Sequence, residues 1–315
     1  MAHNTAAYIW NEGGPGSIEK HIADIQASGL RTVILIALHV GRKMSEYPDM
    51  KIGDLIYNDY PQNLLVSGGV FNPNKSPAIA AWPKQIAQLK DRGSVSKVFI
   101  SVGGDERFVY DFRTIQKMFA DGMAGTLKDN IAALKTAFTI NGICAIDGFD
   151  IDCEEDVEQS TVVQFCQLLF QQGFEVTFCP FTIADWWQGC MQTLWDQGHK
   201  VSWWNLQCYS GGNDNRNHLT AWINALSAVV YPQAPESFLV PGLAVEGVED
   251  TGDGQCPTGP QSFWTTFRGW NNPRLTGGFL WKYDALVKNP NLCSGQNHLS
   301  AYVQAINNAL DNRSA

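Results

Sequence analysis

The stretch DGFDIDCE at residues 147–154 places four carboxylates within eight positions, separated by residues that a hydrophobic core accepts. Side chains of an extended strand point to opposite faces with a period of two. On that spacing Asp150, Asp152 and Glu154 share one face, and Phe149, Ile151 and Cys153 share the other. A strand buried on one side then gathers three carboxylates in one place. Like charges held that close do not all ionise at neutral pH, so at least one pKa rises; this is how a protein obtains a carboxylic acid able to donate a proton. The chemistry this spacing serves is acid–base catalysis with negative charge held beside the acid.

Two plainer readings account for less. A calcium loop starting at Asp150 would need Gly at its sixth position and Glu at its twelfth, where the chain has Glu155 and Thr161. A helix N-terminus favours Glu155, Asp156 and Glu158, but it leaves Asp147, Asp150 and Asp152 inside an apolar stretch unexplained. No H-E-x-x-H, P-loop or G-x-G-x-x-G pattern is present, so neither a metal nor a nucleotide cofactor is expected. Of the 6 His, only His39 lies near a strand end, which speaks against a metal-dependent barrel hydrolase.

What must position these groups is a series of short apolar runs alternating with helical patterns. The expected strands are AAYIW (6–10), TVILIAL (32–38), KVFISV (97–102), AIDGFDID (145–152), FEVTFC (174–179), WWNLQCY (203–209), SFLVPGL (237–243) and GGFLW (277–281). Between them, TLKDNIAALKTAF carries Leu127, Ile131, Leu134 and Phe138 at helical spacing, with Thr126 and Asp129 placed as a capping box. VVQFCQLLFQQG ends at Gly173, as a helix C-terminus favours. Eight strands each followed by a helix or long loop, without a linker, predict one (β/α)8 barrel, a TIM barrel, spanning residues 1–315 as a single catalytic domain. In such a barrel functional residues sit at the C-terminal strand ends. Here those ends carry Ser101-Val102-Gly103-Gly104, the carboxylates, Gln207-Cys208-Tyr209 and Trp281. The Gly pair permits a tight turn and close approach of backbone to ligand. The segment from His39 to Pro77 reads as a long loop able to carry specificity.

Composition bounds the partners. With 315 residues, 44% hydrophobic and 17% charged, the chain can bury a large core. A net charge of -9 and the absence of any basic run argue against nucleic acid or an anionic membrane. No stretch approaches 18 consecutive apolar residues, and MAHNTAAYIWNEGGPG has neither a charged n-region nor an apolar h-region, so no signal peptide is expected in this chain and the compartment stays open. The 8 Cys show no zinc spacing: Cys144, Cys153, Cys166, Cys179 and Cys208 read as small core residues, while Cys256 and Cys293 lie in polar loops where pairing is open. Eleven Trp is a rich supply of flat surfaces on which sugar rings pack. Trp186 and Trp187 follow the fifth strand and Trp10 ends the first, whereas Trp203 and Trp204 open the sixth and read as structural. Asp185 and Glu246 also follow strands.

KVFISVGG followed by IDGFDIDCE resembles the paired signatures of glycoside hydrolase family 18, the chitinases and endo-β-N-acetylglucosaminidases: S-x-G-G on the third strand and D-G-x-D-x-D-x-E on the fourth. Gln207-Cys208-Tyr209 looks like that family's sixth-strand Tyr motif, and GGFLW like its Trp-bearing eighth strand; the likeness runs from Tyr8 to about Asp284. It implies that Glu154 is the general acid, and that Asp152 orients a 2-acetamido group whose carbonyl oxygen attacks the anomeric carbon in place of an enzyme nucleophile. It further implies that Asp150 is coupled to Asp152 with Asp147 and Ser101 behind it, that Tyr209 donates to the acetamido oxygen, and that Trp281 floors the sugar; Gln207, Gly103 and Gly104 are expected to meet substrate as well, and Trp186, Trp187 and Trp10, from their places after strands, to flank it. The implied partner is an N-acetylglucosamine polysaccharide or glycan, with no cofactor. About 33 residues separate the seventh and eighth strands, too few for the family's α+β insertion, which points to an open cleft and endo cleavage. Ser210 stands where chitinases usually carry Asp or Asn, so the chitobiose core of N-glycans is the alternative substrate. A non-catalytic lectin relative would lack the acid Glu or the inner Asp, and this chain keeps both. The sequence fixes no oligomeric state.

Overall fold

The computed structural model describes residues 3–10, 14–41, 50–58, 63–105, 110–229, 234–245, 259–288 and 298–313. Eight parallel strands form a closed barrel: β1 (Asn4–Ile9), β2 (Thr32–Val40), β3 (Lys97–Gly104), β4 (Gly148–Cys153), β5 (Glu175–Phe178), β6 (Trp204–Gln207), β7 (Leu239–Ala244) and β8 (Gly277–Trp281). Each pairs with its sequence neighbours, and β1 closes the ring, with Ala6 opposite Thr32 of β2 and Phe279 of β8. All eight expected strands are present, their ends moved by at most three residues. β2 is an almost unbroken Val/Ile/Leu run because a parallel strand is covered on both faces.

Parity along the strands separates two apolar layers. Ala6, Tyr8, Ile34, Ile36, Phe99, Val240 and Phe279 fill the barrel interior. Ala7, Ile9, Val33, Leu35, Val98, Ile100, Phe149 and Ile151 face the helices. The apolar residues threaded between the carboxylates belong to that outer layer. Phe149 sits edge-on to Phe174 at 4.9 Å, and burying a side chain of its size contributes about 1.5–3 kcal/mol. This burial fixes the direction of the strand's other face.

The surrounding helices are α1 (Ile22–Ala27), α2 (Pro77–Gln88), α3 (Asp111–Ala120), α4 (Ala124–Ala137), α5 (Gln159–Gln171), α6 (Ala184–Asp196), α7 (Leu219–Ala228), α8 (Pro260–Gly269), α9 (Tyr283–Lys288) and α10 (Leu299–Leu310). α5 ends as expected, with Gly173 at φ 75° just past it. α4 differs: it starts at Ala124 after Met123, so Thr126 lies inside its first turn and no capping box forms. The segment after β2 is also more ordered than a loop. Leu55–Tyr57, Leu64–Ser67 and Val70–Phe71 are short strands, the first pairing antiparallel with the end of β2 through Leu38 and Tyr57. Their alternation was too brief to register as strand pattern.

α3 is tied at its N-terminus to two barrel strands. The buried Glu155 carboxylate accepts from the backbone N–H of Phe112 (2.8 Å) and Arg113 (3.1 Å). Asp111 accepts from the N–H of Val40 (2.7 Å) and lies 2.8 Å from His39 Nδ1. The ends of β2 and β4 are thereby braced across one helix terminus, where carboxylates are favoured. Glu246, Cys256 and Cys293 lie outside the described residues.

Candidate active site

Strand register brings Ser101 of β3, Asp150 of β4 and Thr177 of β5 side by side. Asp150 has no exposure and is met by four donors. Oδ1 accepts from Thr177 Oγ1 (2.6 Å) and Asn205 Nδ2 (2.9 Å); Oδ2 accepts from the Tyr8 hydroxyl (2.7 Å) and Ser101 Oγ (3.2 Å). Burial pushes its pKa up and all four bonds pull it back. A carboxylate filled on both oxygens is suited to holding charge. Asp147 does not support it from behind. Three residues away, it has the opposite parity, precedes β4, and binds Lys90 Nζ (2.9 Å) and the N–H of Val98 (2.7 Å).

Two positions on, Asp152 is 6% exposed. Burial, then the negative charges of Glu154 and Asp150, hold its pKa well above the usual carboxylate range. Of the two aspartates, this is the one whose pKa is raised further. Gln207 Nε2 bridges the pair beyond it, donating to Asp152 Oδ1 (2.9 Å) and Glu154 Oε1 (3.1 Å). Gln207 therefore orients the two carboxyl groups. Glu154, just past β4, is partly exposed. Space for substrate beside them comes from β3. Gly103 has φ 105°, and a Cβ there would lie 2.1 Å from the carbonyl oxygen of Asp152. No other residue fits.

Tyr209 is buried at the end of the β6 run, its ring stacked on Trp281 at 5.8 Å and 19°. Trp281, Trp10, His39, Asn58, Ser101, Gly104 and Asp152 line a cavity of about 180 Å³. Trp10 is 36% exposed at its rim, with Lys282 Nζ 4.1 Å above the ring. Glu154, Phe181, Ile183, Trp186 and Trp187 line a second cavity of about 260 Å³. Trp187 contributes only from the core side: it is 2% exposed and packs on Phe178 at 5.1 Å. Asn215 fixes this wall. Its amide donates to the carbonyls of Phe181 (2.8 Å) and Gln207 (2.7 Å), and its oxygen accepts from Trp222 Nε1 (2.8 Å).

The four sequence-derived candidates Asp150, Asp152, Glu154 and Gln207 thus come together, with Tyr209 and Trp281 beside them and Trp10 and Trp186 at the two cavities. Tyr8, Thr177, Asn205, Cys179 and Asn215 were not foreseen. Parity could have found three of them, since Tyr8 alternates with Ala6, Thr177 with Cys179, and Asn205 with Gln207 and Tyr209.

No protein-family model matches the sequence, and no curated protein matches it. Solved structures do resemble it. A GH18 chitinase from Pseudoalteromonas aurantia superposes with a TM-score of 0.60 at 17% identity, over 96% of this chain and 99% of that one. The Group IV chitinase of Ostrinia furnacalis in complex with allosamidin gives 0.62 at 12%, over 99% and 100%. YKL-39, solved in the presence of chitooligosaccharides, gives 0.59 at 12%, over 98% and 99%. The chain has the fold of the glycoside hydrolase family 18 chitinases.

Proposed function

We propose that this protein is a retaining glycoside hydrolase that cleaves β-1,4 linkages of N-acetylglucosamine internally, by substrate-assisted catalysis. The observation that carries this reading is the Asp152–Gln207–Glu154 bridge standing between two cavities, one floored by Trp281 and the other walled by aromatic residues. In the first cavity the sugar to be attacked lies on Trp281. Asp152 takes the acetamido N–H, and Tyr209 donates to the acetamido carbonyl. That oxygen attacks the anomeric carbon as Glu154 protonates the departing glycosidic oxygen, whose sugar occupies the second cavity. Asp152 and the anionic Asp150 then offset the positive charge of the cyclised intermediate. Water, deprotonated by Glu154, opens it from the face the leaving group left, so the β configuration is retained.

The ligands of two structural neighbours, allosamidin and chitooligosaccharides, support a substrate containing N-acetylglucosamine. Ser210, exposed just beyond Tyr209 at φ 47°, is where this chain departs from the chitinase pattern, and it keeps the chitobiose core of N-glycans as the second reading. The test is mass-resolved analysis of early products from chitin hexamer, with anomeric form recorded, beside Glu154→Gln. Internal cuts giving β-anomers, with kcat lowered at least about 10³-fold in the variant, is the expected result. An inactive wild type would overturn the chitinase reading. Release of N-glycans from glycoprotein would then identify the alternative, and sugar binding without any cleavage would identify a lectin.

A further inference from the structure

Ile183 breaks two local rules at once. Its backbone lies at φ 56° and ψ 62°, in the left-handed region, where a β-branched residue is an outlier. It also occupies the cap position of α6, which favours Ser, Thr, Asp, Asn or Gly, and no side chain bonds there. Strain of this kind persists only where the surroundings over-determine the backbone. Here they do so from both sides. The Ile183 carbonyl accepts from the N–H of Trp186 (2.9 Å) and Trp187 (3.4 Å), while the Phe181 carbonyl accepts from Asn215 Nδ2 (2.8 Å). The carbonyl of Trp186 accepts in turn from Gln159 Nε2 (2.9 Å), so the start of α6 is pinned to α5.

What this backbone presents is an apolar side chain to solvent. Ile183 is 71% exposed, more than any other large apolar side chain among the described residues, so core packing does not account for it. It stands instead on the lining of the cavity that holds Glu154 and Trp186. A β-branched side chain is stiff about its first torsion, and an apolar one offers a sugar a surface for the C–H face of the ring.

We propose that Ile183 is a specificity-determining residue for the leaving group: held out by its strained backbone, its side chain packs on the C–H face of the departing sugar in the cavity beside Glu154. The proposal rests on the reading in which that sugar occupies the second cavity.

The test compares wild type, Ile183→Gly and Ile183→Leu on two substrates, chitin hexamer and the β-fluoride of N,N′-diacetylchitobiose. Fluoride departs without placing a sugar in the second cavity. In Ile183→Gly, kcat/KM should fall at least about fivefold further on the hexamer than on the fluoride, the scale of one lost apolar contact. Ile183→Leu, which keeps the apolar bulk, should stay within about threefold of wild type on both. Thermal melts separate this from a structural role: Gly adopts the left-handed region freely, so the Tm of Ile183→Gly should lie no more than about 2 °C below wild type. Equal falls on the two substrates would overturn the proposal, as would a larger loss of Tm. A second readout does not need catalysis. If the wild type cleaves neither substrate, the glycosidase reading is removed, and hexamer binding followed by tryptophan fluorescence decides the rest. Binding weakened at least about threefold in Ile183→Gly keeps Ile183 as a sugar contact, and an unchanged Kd overturns that assignment too.

Discussion

Asp152 holds its proton more tightly in the folded protein than in the unfolded chain, and that has a measurable cost near neutral pH. Because the folded state binds this proton more strongly, the contribution of Asp152 to stability is fully present below the ordinary carboxylate value of 3.8 and is lost as pH rises through its higher folded value. Asp152→Asn, which removes the charge and keeps the shape, should therefore be more stable than wild type at about pH 7. The gain should shrink toward about pH 4 while activity is lost at every pH. Thermal melts of both proteins across that range check this, and a variant less stable at neutral pH would contradict the proton placement. The carboxylates were legible in sequence because a strand turns parity into direction. Their donors were harder to see. Thr177 and Asn205 look like ordinary polar residues in apolar runs until the stagger of neighbouring strands places them beside Asp150. Asp147 carried the same motif yet pointed elsewhere, since the parity rule applies only from where the strand begins.

At the scale of elements, the sequence revealed the eight strands better than what joins them. Buried parallel strands are apolar on both faces and stand out. The short strands after β2 and the early start of α4 depend on contacts distant in sequence, such as Gly69 N–H to Asn130 Oδ1 at 2.6 Å. The brace at α3 is of the same kind, because Glu155 follows Glu154 and yet points the opposite way, into the first turn of another helix. Glu155→Ala leaves two backbone N–H groups unpaired in a buried place and should cost about 2–4 kcal/mol. Since the next residue back is Glu154, kcat should fall with it while KM changes little. Denaturant titration and steady-state kinetics test both. Unchanged stability would mean that water replaces the carboxylate.

For the whole molecule, closure depends on α10. Leu299, Tyr302, Val303 and Ile306 are at most 2% exposed, and a Cβ on Gly278 of β8 would lie 2.3 Å from Phe267 and 3.0 Å from Ile306, so the helices sit flush against the last strand. Burying four such side chains contributes about 6–12 kcal/mol, comparable to the net stability of an entire domain. A chain ending at Lys288 should accordingly fail to give a soluble monomer with native near-UV circular dichroism. A folded truncated protein would show that the barrel closes without its last helix. The same order of strands governs how the protein comes into being. Tyr8 leaves the ribosome with the first strand and Trp281 with the last, while the donors of Asp150 arrive piecemeal, ending with Asn205. Until those strands are in place, the acidic cluster lacks some of its donors and Trp281 of its cavity. Under the proposed function, a polypeptide interrupted before β8 lacks Trp281 and should be inactive.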